Sequence, residues 1–427
     1  LAQDALDESS VDGDVPASLQ KLWKEMVHYI TVARPELAQR YAQEILQGDW
    51  EDRDLYLAAV NLPDARQNLM RARNMEAMAE SAKGLLDRVE QGYEAVRADP
   101  DQIAYNINLL AGTLNEFRQA SKRLQTSGQY AVPQLLANLT APDTSDSHKD
   151  RIVTVLPMLG KEAVRPLSVA LQTDQPELQK VLAIALGRIG YPHAAARLKE
   201  LIERAGTLEE VRTAARVALE ACAGEASVRK PAAELFYDTS LDYYYRAESL
   251  LPDARYPTAN VWYWSDELGA TYKRVPREII CDVYAMRMSR LALEHNPEYY
   301  AAVPIWLSAI LNKGANLPDG ASDSTWPEQL RGAAFYTLAA SARYQQAVLA
   351  RALRDENAPV AYGAIEALSR TAGAKSMVEP VEGGAQPMVE ALSYAELPVR
   401  MLAALALARA LPDERFVGSD LVLPVLN

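Results

Sequence analysis

Four histidines are available for acid–base work or metal binding, and their placement supports neither use. His28 lies on the edge of an apolar helical pattern, His148 in a loop, His193 in a first turn after Pro192, and His295 at the end of a helix. No two of them stand at the i, i+4 spacing that sets a pair of imidazoles on one helix face. Neither His-Glu-x-x-His nor Cys-x-x-Cys occurs, so zinc chemistry finds no ligand set. A Ser-His-Asp relay has no Gly-x-Ser-x-Gly elbow to expose its serine. Gly-Ala-Lys-Ser at 373–376 offers a lysine and a hydroxyl to a phosphate. It lacks the glycine before the lysine and the preceding strand that such a loop needs. Gly383–Gly384 reads as a linker, and Glu209–Glu210 as carboxylates offsetting a helix dipole. Asn138-Leu139-Thr140 fits a glycosylation sequon, a tripeptide common by chance. The expectation is a chain with no catalytic residue, no cofactor and no metal.

Two residue sets suit binding better than catalysis. Asn260–Pro276 holds two short β-branched and aromatic runs around Asp-Glu-Leu-Gly, a β-hairpin signal. Alternation puts Trp262 and Trp264 on one face and Tyr263 on the other, with Tyr272 on the return strand. That face either packs on a neighbouring Tyr-rich helix or stays exposed as a partner anchor, since Trp, Tyr and Arg dominate binding hot spots. The second set is Lys180, Arg188, Arg212, Arg216, Arg400 and Arg409, at outward positions of helices. It reads as ordinary ion pairing or as a basic stripe that seats an acidic peptide.

The elements that must position these residues repeat. Leu159–Gly190 and Ile189–Gly224 can be laid over each other almost residue for residue, and a looser copy starts at Gly128. Each copy runs from Gly through one Ala/Leu helix, an acidic loop and a second Ala/Leu/Val helix. A period of about 30 residues marks stacked helical hairpins. The glycines are expected as left-handed stops between helices. Pro359-Val360 and Pro398-Val399 begin further copies at an offset of 39. The chain ends inside what reads as the first helix of another copy, which implies a continuation or a covering partner. Before the repeats, helical spacing runs from Pro16, breaks at Ala-Arg-Pro-Glu (33–36), and continues through Asn61–Ala98 and Pro100–Leu124.

Leu-Gly-Arg-Ile-Gly (186–190), Glu-Glu-Val-Arg-Thr-Ala-Ala (209–215) and Pro-Val-Arg-Met-Leu-Ala-Ala-Leu (398–405) resemble HEAT repeats of the phycobilisome-lyase-like type. The resemblance implies a polar ladder between repeats, carried by the Arg after the Val, at Arg212 and Arg400. Trp23, Tyr29, the Pro35 turn, Ala38 and Tyr41 resemble a tetratricopeptide helix pair. The mixture, with its hairpin insert, is similar to large bacterial proteins of planctomycete type.

Composition bounds the function. Net charge is −13, and Asp4, Asp7, Glu8, Asp12 and Asp14 stand in a leader without Lys or Arg, read as disordered. An acidic chain is a poor polyanion binder, which argues against nucleic acid as the main ligand. Tyr (21) and Trp (6) far outnumber Phe (4), so most aromatic rings carry a polar handle suited to wet interfaces. Cys222 and Cys281 are expected as buried free thiols, and no run is long enough for a membrane span. Leu-Ala-Gln-Asp at the start resembles the end of a processed export signal; the alternative is a cytoplasmic chain.

The expected fold is all-α, an α-solenoid of HEAT-like and tetratricopeptide-like helical hairpins with one small β-hairpin insert. Its regions are an acidic leader (1–15), an N-terminal helical region (16–124), HEAT-like repeats (125–228), an aromatic-rich region (229–320) and further HEAT-like repeats (321–427). The expected function is a non-enzymatic interaction scaffold for a protein or peptide partner. Its rivals are an assembly component that self-associates through repeat ends, and a lyase-type enzyme or chaperone acting on a chromophore protein.

Overall fold

A computed structural model describes residues 15–62, 64–254, 256–327, 329–381, 384–410 and 416–427. The acidic leader lies outside them except for Val15, which is buried, and Gly383 of the expected linker also lies outside. The fold class is all-α, of the α-solenoid kind, with one two-stranded antiparallel sheet among the described residues. The chain forms two compact units, Leu1–Ala163 and Val164–Asn427, so the division falls inside the 125–228 stretch. Among the described residues no helix is long and apolar enough to cross a membrane.

In the first unit, Ala17–Thr31 pairs with Pro35–Gln47, and Pro35 opens the second helix where its missing N–H costs nothing. Leu19, Trp23, Met26 and Ile30 recur on one face of the first helix and are buried with Ala38, Ala42 and Ile45 of its partner. The stretch read as helical over Pro100–Leu124 is two helices, Pro100–Leu109 and Leu114–Ser127. Thr113 and Glu116 form a reciprocal capping box at the break, a Thr-x-x-Glu signal present in the sequence. His148 and Arg151, on the helix Asp146–Val155, reach back to the carbonyl end of Pro100–Leu109. His148 Nε2 lies 2.8 Å from the Ile107 carbonyl, and Arg151 donates to the Leu110 and Gly112 carbonyls at 2.6 Å each. These bonds satisfy carbonyls that a helix end leaves without partners.

In the second unit the repeat geometry is explicit. The helices Pro176–Ile189 and Glu209–Ala223 pack together, and Gly187 makes the approach close: a Cβ there would sit 2.8 Å from the Ala218 Cα. Gly190 ends its helix in the left-handed conformation (φ 67°, ψ 39°), as expected. Bonds roughly one period apart tie neighbouring repeats. Lys180 donates to Glu210 at 2.5 Å, Arg204 to the Leu171 carbonyl at 3.2 Å, and Lys199 to the Val228 carbonyl at 2.8 Å.

The ladder implied at Arg212 and Arg400 takes a different form. Arg212 donates to the Arg204 carbonyl at 3.4 Å, and Arg400 to the Tyr394 and Ala395 carbonyls at 2.6 and 2.7 Å. Each therefore closes the loop before its own helix rather than reaching a neighbouring repeat. Gln179 does the same to Thr173 at 2.5 Å, and Gln345 reaches across the preceding loop to the Thr337 carbonyl in the last turn of Ala333–Ala339, also at 2.5 Å. All four residues occupy the fourth position of their helices, Pro176–Ile189, Glu209–Ala223, Ala342–Arg354 and Leu397–Ala410. From there a long side chain can lie back along the first turn to a loop carbonyl that would otherwise be buried without a donor.

Between the repeats, the Tyr-rich helix Ala232–Tyr244 packs on Ile280–His295, which packs on Ala302–Asn316. Asp282, fully buried, accepts from Asn312 at 2.7 Å and from Asn316 and Arg246 at 3.2 Å each. Asn357 in turn donates to Asn312 at 3.1 Å. Cys222 and Cys281 are free and buried, and burial pushes the Cys222 thiol up to about 11.

Candidate functional site

The hairpin pairs β1 (Thr258–Ser265) with β2 (Gly269–Pro276), Trp262 opposite Tyr272, across the turn Asp266–Leu268. Its aromatic face is not free. Trp262 is 0% exposed, packed with Val169, Ala270 and the partly buried Trp264. Its backbone N–H donates to the Tyr284 hydroxyl at 3.2 Å, and its carbonyl accepts from Arg287 at 2.6 Å. Trp262 is therefore core, which corrects the reading of this residue as a surface anchor: Val169 and Ala270 cover its ring and remove it from water. Trp264 is partly buried, its indole N–H donating to Asp266 at 3.1 Å. Tyr272, 36% exposed, and Leu268, 71% exposed, remain as the open part of the hairpin.

The basic set disperses likewise. Lys180 is paired with Glu210, while Arg212 and Arg400 are bound to loop carbonyls. Arg216 is exposed. Arg212 and Arg216 stand one turn apart on Glu209–Ala223, while Lys180 and Arg400 lie on two other helices.

A different group converges beneath the hairpin. A narrow crevice is lined by Arg165, Ser168, His193, Arg197, Tyr284 and Arg287, with Phe236 and Met288 completing its walls. It has room for about one water-sized group, such as a single carboxylate oxygen, and not for a drug-sized ligand. Tyr243 and Tyr284 stack with ring centroids 4.8 Å apart, and His193 meets both edge-on. The Arg165 guanidinium lies 5.1 Å from the Tyr284 ring centre and that of Arg287 lies 5.3 Å away. Arg287 also covers Tyr263 at 4.3 Å. Arg197 is neutralised by Glu200 at 2.7 Å, whereas Arg165 and Arg287 donate to neutral oxygens. Arg165 donates to the Tyr243 hydroxyl at 3.3 Å and to the Leu250 carbonyl at 2.7 Å.

Burial, with the Arg165 and Arg197 charges beside it, lowers the His193 pKa to about 3. The folded protein thus holds this imidazole neutral, while the unfolded chain protonates it below about pH 6.5. Stability from this group is complete above pH 6.5 and falls as the pH drops toward 3. The full linkage is about 1.4 kcal/mol per pH unit, and water at the partly exposed ring edge screens some of it. The expected loss is about 1 kcal/mol between pH 7 and pH 5. His193→Gln should remove that share, so urea midpoints of the two proteins should converge at pH 5. Parallel losses in both would show that His193 does not carry this pH dependence.

Sequence reading missed this crevice because Arg165, Arg197 and Arg287 come from three separate elements with no shared motif. The only hint was the Tyr-rich helix, whose Tyr243 supplies one of the stacked rings.

Residues 132–220 match the family model for HEAT repeats, covering a minority of the chain. No curated protein matches it.

Proposed function

We propose that the protein is a non-enzymatic scaffold that binds a protein or peptide partner on the surface of its helical repeats. The observation that carries this reading is the HEAT-repeat match over 132–220, a repeat type that commonly serves protein–protein interaction. Stacked hairpins offer wide surfaces without needing reactive groups. Leu268, Tyr272 and Trp264 at the hairpin and Arg216 on the repeats are the contact candidates we put forward. Capture from an extract of the source cells on the immobilised chain tests it. A partner should be retained by the wild type more strongly than by Arg216→Ala or by the Leu268→Asp/Tyr272→Ser pair. Recovery of no partner, self-association included, would count against the scaffold reading.

Self-association is the second reading, favoured by the exposure of Val417 (82%) and Leu423 (70%) beside the last repeat. Light scattering against concentration separates it from a monomeric scaffold. The finer affinity we propose with phycobilisome-lyase-like repeats rests on Leu-Gly-Arg-Ile-Gly at 186–190, and that with planctomycete-type mosaics on the hairpin insert among the repeats. A coloured purified protein would favour the chromophore-directed rival.

A further inference from the structure

We propose that the crevice beneath the hairpin is a binding site for a carboxylate group. Arg165 and Arg287 flank Tyr284 from two different elements, and no ion pair to either is present among the described residues. Each guanidinium carries five N–H donors, more than the bonds to Tyr243, Leu250 and Trp262 engage. Partly buried cations in an apolar setting are costly without an opposing charge. The tyrosine faces offset part of that cost by cation–π attraction. His193 is neutral there and adds neither charge nor counter-charge.

A second observation points to a ligand rather than to a structural charge alone. Ser168, 2% exposed, lines the same space, and its hydroxyl has no hydrogen-bond partner. A buried hydroxyl left alone costs about 1–3 kcal/mol, which an incoming acceptor would recover. The ligand must then be anionic, an acceptor and small. A carboxylate is planar and narrow, and it fits the fork of a guanidinium.

The carboxylate site stands on the crevice itself. That its carboxylate belongs to a peptide, as an acidic side chain or a free C-terminus, rests on the scaffold reading. Both parts are tested by thermal unfolding of the full chain at constant ionic strength set with chloride. The probes are acetate, end-blocked Ala-Glu-Ala, end-blocked Ala-Gln-Ala, Ala-Ala-Ala with a free C-terminus, and sulfate.

A ligand that binds only the folded state raises Tm in a saturable way. Acetate and one of the two carboxylate peptides should do so, and the Gln peptide should not. The peptide that works identifies the source as side chain or C-terminus. Arg287→Gln should weaken the apparent affinity about tenfold or more, the loss of one charge-assisted contact. Should that variant fail to fold, Ser168→Ala removes only an unpartnered hydroxyl and should weaken binding several-fold. Absence of a saturable rise with every carboxylate, or an equal rise with sulfate, overturns the site. A response to acetate with none to either peptide keeps the site and overturns its link to a peptide partner.

Discussion

Trp262→Ala should cost about 3–5 kcal/mol of stability, the range for emptying a buried aromatic site in a packed core. Trp262 has no exposed surface, and its ring packs on Val169, Ala270 and Tyr272, the last at 4.9 Å between ring centres. Its backbone bonds to Tyr284 and Arg287 do not depend on the side chain. The loss should therefore appear as packing energy and not as a lost strand pairing. Tyr272→Ala, at the 36% exposed position opposite, should cost about 1 kcal/mol. Urea unfolding of the two variants measures the contrast, and equal costs would refute the core assignment of Trp262. Partner capture by the Trp262 variant under conditions where it stays folded should be unchanged. A selective loss of capture there would return this residue to the interaction surface.

The contrast between these two hairpin residues shows what a sequence pattern can carry. Alternation identified the strands and paired Trp262 with Trp264 on one face, because period two is a property of the strand itself. Whether that face meets protein or solvent depends on Val169, almost a hundred residues earlier, and on Tyr284 and Arg287 on a later helix. The repeats at 159–224 were legible for a related reason: helix periodicity and the recurring glycines are local, and Gly190 holds its expected left-handed conformation. The break between Leu109 and Leu114 was also written locally, in Thr113-x-x-Glu116, and was passed over beside the long apolar pattern.

The fourth-position bonds were harder to see, since Gln179, Arg212, Gln345 and Arg400 share length and a donor but not a residue type. The crevice was not legible at all. Arg165, Arg197 and Arg287 share no motif in the sequence, and only helix packing sets two of them against Tyr284.

Packing of the same insert also creates its most costly polar commitment. Asp282→Ala should destabilise the protein by about 3–5 kcal/mol, because it leaves the donors of Arg246, Asn312 and Asn316 facing an emptied site. Burial pushes the Asp282 carboxyl upward, against the opposing pull of Asn312, Arg246 and Asn316. Every bond it makes is one that a carboxylate accepts. Asp282→Asn should therefore not be a gentle change: its amide would turn N–H groups toward other donors, and a loss of about 2–3 kcal/mol is expected.

Asn312 links this cluster onward to Asn357, which also caps the next repeat helix through Val360. Asp282 and Asn312 should consequently fail to add. A double-mutant cycle on Asp282→Ala and Asn312→Ala should give a coupling of about 1–3 kcal/mol by urea unfolding. Strict additivity would mean that the two residues act alone.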